Sequence, residues 1–155
     1  MKHRGIILVW LLAGVLCLSG CGKQAEQAPA EVKSLQERVE SAAKDAGELA
    51  PLTAEDLTDT LGAEPEDVAE FVYLQETGFG GREILAVRAK DQAAADSLEK
   101  QMQHYLEHRR DETWDYAPEA YQLLSKAEVK RKGLLLVMVS GPDAEKEAQE
   151  ILAGE

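Results

Sequence analysis

The run Leu134-Leu135-Leu136-Val137-Met138-Val139 constrains the fold more than any other stretch of the chain. Alternate residues of a strand face opposite sides of a sheet. Here both sets are apolar: Leu134, Leu136 and Met138 on one side, Leu135, Val137 and Val139 on the other. Such a strand is central in its sheet and covered on both sides. A chain of 155 residues is long enough for one domain that supplies such cover, and 45% apolar residues suit a globular protein. The net charge of −12 argues against nucleic acid, whose binders need a basic face.

The elements that flank this strand follow from local pattern. Glu128 to Arg131 precedes it across a Lys132-Gly133 turn, which makes a hairpin. A second hairpin is predicted upstream. Residues 67–76, with the β-branched and aromatic cluster Phe71-Val72-Tyr73, face Glu83 to Ala89 across Gly78-Phe79-Gly80-Gly81. Thr53 and Asp56 form a capping pair for a helix over 54–62, ended by Gly62. Asp91 caps the clearest helix, 92–110, whose Ala94, Ala95, Leu98, Met102, Tyr105 and Leu106 fall within a sector of roughly 120°. A short helix begins near Pro118, and Gly141-Pro142-Asp143 starts a last one running to about Leu152. The expected fold is therefore α+β: a four-stranded, mainly antiparallel sheet from two β-hairpins, packed with helices, over residues 53–155.

The N-terminus is of another kind. Lys2, His3 and Arg4 precede an apolar run from Ile6 to Leu18, and Leu18-Ser19-Gly20-Cys21 ends it. About thirteen residues are too few to span roughly 30 Å of hydrocarbon, and fit the h-region of a secretory signal. The tetrapeptide resembles the lipobox of bacterial lipoproteins. That resemblance implies cleavage after residue 20, acylation of the Cys21 thiol, and anchoring in membrane lipid on the extracytoplasmic face of the cell membrane. Cys17 leaves with the signal, so Cys21 would be the sole remaining cysteine, and neither a disulfide nor thiol chemistry is expected. Residues 21–31 read as a flexible tether. Over 32–50, apolar residues at 32, 35, 39, 42, 46 and 49 make a thin stripe, a marginal amphipathic helix that lies on the domain or frays as a stalk.

Residues 53–152 resemble a family of Gram-positive bacterial lipoproteins known as domain of unknown function four-three-five-eight. The resemblance lies in Glu83-Ile84-Leu85-Ala86-Val87 followed by Lys90-Asp91, in Tyr116-Ala117-Pro118-Glu119-Ala120-Tyr121-Gln122-Leu123-Leu124, and in the Lys132-Gly133 turn. It implies fold and location and assigns no activity.

Few residues carry catalytic or metal chemistry. His104 and His108 stand four apart, but they lie roughly 140° and 100° from the centre of the apolar face, and Tyr105 occupies the place of a zinc-hydrolase glutamate. They read as solvated, and no metal or cofactor is expected. Ten carboxylates between Asp45 and Gly81 lack the spacing of a calcium loop, so Glu64, Glu66 and Asp67 read as solvating charge. Lys126, Lys130, Arg131 and Lys132 form a basic hairpin tip, read as protection against edge pairing rather than as a lipid contact. The Gly78–Gly81 loop opens no helix and is no phosphate cradle, and there is no Gly-x-Ser-x-Gly elbow.

Trp114, Tyr116 and Tyr121 remain. They either plug the end of the sheet or line a groove as a candidate binding surface. The plug is the preferred expectation. The expected function is a non-catalytic binding or interaction module of the cell envelope, meeting an envelope protein or ligand through that groove or the sheet's second face. The rivals are a carboxylate-dependent envelope hydrolase and a structural stalk.

Overall fold

The computed structural model describes residues 33–78 and 80–155. Among these residues five α-helices and five strands follow in the order α1 (Leu35–Ala42), β1 (Ala50–Pro51), α2 (Ala54–Leu61), β2 (Val68–Gln75), β3 (Glu83–Ala89), α3 (Gln92–Thr113), α4 (Pro118–Leu124), β4 (Val129–Lys132), β5 (Leu135–Ser140) and α5 (Ala144–Ala153). The sheet order is β1-β2-β3-β5-β4, with every pairing antiparallel. The α+β class and the two hairpins stand as expected. The strand count does not: the two-residue β1 adds a fifth strand, pairing Ala50 with Gln75 and Pro51 with Leu74. Proline suits that place, because an edge strand can spare an N–H.

The doubly apolar β5 is fully buried and lies beside β3 at the centre. One side of the sheet presents Tyr73, Leu85, Val87, Leu136 and Met138 to α2, α3 and α4. The other presents Val72, Leu74, Ile84, Ala86, Leu135, Val137 and Val139 to α1 and α5. The result is three layers, with the protein's own helices over both sides of the sheet.

The segment expected as a marginal helix or stalk places Leu35 and Val39, both fully buried, in that second layer. Its helix is short because the backbone turns extended at Ala43. The stripe is continued by a 3₁₀ turn at Ala46–Glu48, which buries Ala46, and by Leu49. A Ser34–Glu37 capping box starts α1, and Arg38 ties it to α5 by donating from Nε to the Ile151 carbonyl at 2.9 Å.

Local chemistry fixes the remaining ends. Thr53 and Asp56 cap α2 reciprocally, and Gly62 ends it at φ 68°. Asp91 accepts from the Ala94 N–H at 2.9 Å. Asp143 begins α5 without a side-chain cap, contrary to expectation. The larger departure is α3, which runs to Thr113, a turn beyond the expected end. Asp111, Glu112 and Thr113 include no helix breaker, and the Thr113 hydroxyl donates back to the Arg109 carbonyl at 2.8 Å. Trp114 thus becomes the C-cap of α3 instead of a loop residue.

Candidate functional site

The extra turn decides where the aromatic residues point. Trp114 lies nine positions after Tyr105, which at 100° per residue places them about 180° apart around the helix. Tyr105 is 8% exposed, whereas Trp114 is 66%, Tyr116 58% and Tyr121 38% exposed. Among the described residues those last three are the exposed large apolar side chains. The expected plug is therefore overturned: none of the three seals the sheet, whose end is closed by other groups.

Trp114 and Tyr121 come together, with Glu107, Arg110 and Asp111, around one open concavity of about 450 Å³. Positions 107, 110, 111 and 114 recur at helical spacing and form the outer face of α3. Tyr116 sits on the connecting turn and does not line the concavity. The corner is held firmly. Arg110 donates from Nε to the Leu124 carbonyl at 3.0 Å and from Nη2 to the Ala127 carbonyl at 2.7 Å. Leu124 is the last residue of α4 and Ala127 lies three residues beyond it, and carbonyls at a helix's C-terminal end attract a cation. On its other flank α4 rests on Gly81, where an added Cβ would come 2.6 Å from the Ala120 Cα. Any side chain at position 81 would force the start of α4, which carries Tyr121, to shift.

The inner face of the same helix closes the sheet end through a buried cluster. Tyr105 donates to Glu83 Oε1 at 2.6 Å, and the Tyr73 hydroxyl lies 3.0 Å from that of Tyr105. Arg109 Nε is 3.7 Å from Glu83 Oε2, and Gln75 donates to the same oxygen at 3.5 Å. Burial pushes the Glu83 carboxyl above its usual range, against the opposing hydrogen bond from Tyr105 and the charge of Arg109. Burial also raises both tyrosines, and the negative charge of Glu83 adds to the shift.

The neighbouring Arg82 faces the opposite layer. It grips Asp45 with two bonds of 2.7 Å, donates to the Ser140 carbonyl at 3.0 Å, and approaches Glu147 to 2.9 Å. Burial works against its charge, but Asp45 and Glu147 outweigh that and keep it cationic. The hydrogen bonds from Arg82 hold the Asp45 carboxyl below its ordinary value.

Neither cluster was identified from sequence. Alternation puts Glu83 on the same side as Leu85 and Val87, which was the available signal. The other candidates lie apart. His104 is exposed, as is His108, whose Nδ1 is 3.5 Å from Glu112. Two of the four basic residues of the hairpin tip are paired: Lys130 with Glu145 at 2.8 Å, and Arg131 with Asp96 at 2.7 Å and Glu99 at 2.9 Å. Glu64 and Glu66 are exposed beside α2. Cys21, with the signal and the tether, lies outside the described residues. Among those described, no helix is long and apolar enough to cross a membrane.

Fold and site together define a three-layer α+β domain whose sheet is covered on both sides and which displays Trp114 and Tyr121 at one helical corner. A family model described as "Domain of unknown function (DUF4358)" matches residues 41–141, from the end of α1 to the end of β5. The chain belongs to that family. No curated protein and no solved structure matches it.

Proposed function

We propose that this protein is a non-catalytic binding module of the cell envelope, held at the extracytoplasmic face of the membrane by lipid on Cys21, and that it meets an envelope partner at the Trp114–Tyr121 corner. One observation carries the reading: among the described residues the exposed large apolar side chains gather on this corner while both sides of the sheet are covered. Aromatic residues at a rigid, exposed position favour binding, because little side-chain or loop freedom is lost on association. The sheet's second face, the other surface considered for a partner, is taken by α1 and α5. The hydrolase reading has its best acid in Glu83, whose carboxyl is sealed from solvent.

Crosslinking on intact cells tests the proposal with three forms: the wild type, Cys21→Ala and Trp114→Ala. A defined partner bonded only to the wild type is the expected result. The same adducts from all three would overturn it.

A further inference from the structure

The concavity at the α3–α4 corner has a charge as well as a shape. Glu107 and Asp111 line it and have no hydrogen-bond or ion-pair partner among the described residues. Arg110, the cation beside them, directs Nε and Nη2 to carbonyls of the segment that ends α4. Arg109 is committed to Glu83 and Glu112. Two further exposed acids flank the aromatics, Asp115 next to Trp114 and Glu119 in the first turn of α4. Exposed indole and phenol faces beside unpaired carboxylates suit one chemistry, an organic cation on an apolar stem. The ring faces attract the charge, the carboxylates neutralise it, and the stem covers apolar surface. A purely apolar segment would strip water from Glu107 and Asp111 without compensation, and an acidic one would be repelled.

We propose that the Trp114–Tyr121 concavity takes a basic segment of a partner polypeptide, seating a lysine or arginine head group against the two rings with Glu107 and Asp111 as its counter-charges. This rests on the binding role proposed above and names the partner's chemistry. A polypeptide fits better than a lone amine because the concavity is open and the acids continue beyond it to Asp115 and Glu119, so that successive cations find successive partners.

The test uses the full chain with Trp10→Phe, which leaves Trp114 as the sole indole. Emission is followed while tetralysine, tetraglutamate or tetraalanine is added. A saturable change with tetralysine alone, weakened by salt, is expected. Glu107→Gln with Asp111→Asn should weaken it about three- to tenfold, the sum of two exposed charge contacts. A control pair, Glu64→Gln with Glu66→Gln, changes net charge equally at a remote surface and should alter affinity less than about twofold. No response to tetralysine, an equal response to tetraalanine, or equal weakening by both acid pairs would overturn the inference. The cell crosslinking separates the two levels: a Trp114-dependent partner without a basic segment overturns only the cation reading, whereas adducts indifferent to Trp114 overturn both.

Discussion

The two faces of α3 use the same kinds of side chain for opposite ends. On the inner face an aromatic, an acid and an arginine (Tyr105 and Arg109 on α3, Glu83 opposite them) are closed against the sheet, the tyrosine donating to the acid and the arginine 3.7 Å from it. On the outer face an aromatic and two acids (Trp114, Glu107 and Asp111) stand open around a hollow and satisfy nothing within the domain. Tyr105 and Arg109 share one rigid helix with the outer set, so the contacts of the inner face fix the position at which the outer set is presented. Stability and recognition are thereby divided between two sides of a single element, and substitutions on the two sides should behave differently.

The largest effect belongs to the inner face. Glu83→Ala leaves Arg109 without its buried counter-charge and the Tyr105 hydroxyl without its acceptor, and should cost about 3–5 kcal/mol in urea unfolding, as breaking a buried charged network does. Tyr105→Phe removes one donor from the Glu83 carboxyl and should cost about 1–3 kcal/mol by the same measurement, with Trp114 still open to a collisional quencher.

The pH profile sharpens the comparison further. Because the folded-state pKa of Glu83 is raised, the native chain holds its proton where the unfolded chain, with a value of 4.5, releases it. Its contribution is therefore complete below pH 4.5 and declines as pH rises through the raised value. Glu83→Gln lacks this decline, so its stability relative to wild type should improve by up to about 1.4 kcal/mol per pH unit within that window. Asp45 runs the other way: its contribution is present above its unfolded value of 3.8 and fades as pH falls below it.

The smallest effect on folding is expected on the outer face. Trp114→Ala should change stability by no more than about 0.5 kcal/mol, as exposed substitutions commonly do. The same change should abolish partner crosslinking. If Trp114→Ala unfolded the domain, the division between the faces would be wrong.

Much of the frame was legible because it rests on periodicity. The doubly apolar 134–139 run placed β5 at the centre, alternation located β3, and the sector from Ala94 to Leu106 oriented the first part of α3. What was not legible depended on distant partners or on the absence of a stop signal. A two-residue strand at Ala50–Pro51 has no period to read. The apolar sector of α3 ends at Leu106 and polar residues follow, yet polar residues continue a helix as well as they leave one. That single turn separated the plug from the displayed surface. Trp114, Tyr116 and Tyr121 were recognisable by residue type, but their exposure depends on how α4 is held by Arg110 and Gly81, contacts that no local pattern encodes. Glu83 stood at the head of a strand like any solvated charge, and its partners come from β2 and α3.

Site-specific photocrosslinking on intact cells tests the central claim most directly. A benzophenone side chain is placed at position 121, within the concavity, or at position 103, also exposed on α3 but outside it. The account predicts one discrete adduct from position 121, none from position 103, and its loss when Trp114→Ala is added. The same set of neighbours from both positions, unaffected by Trp114→Ala, would contradict it.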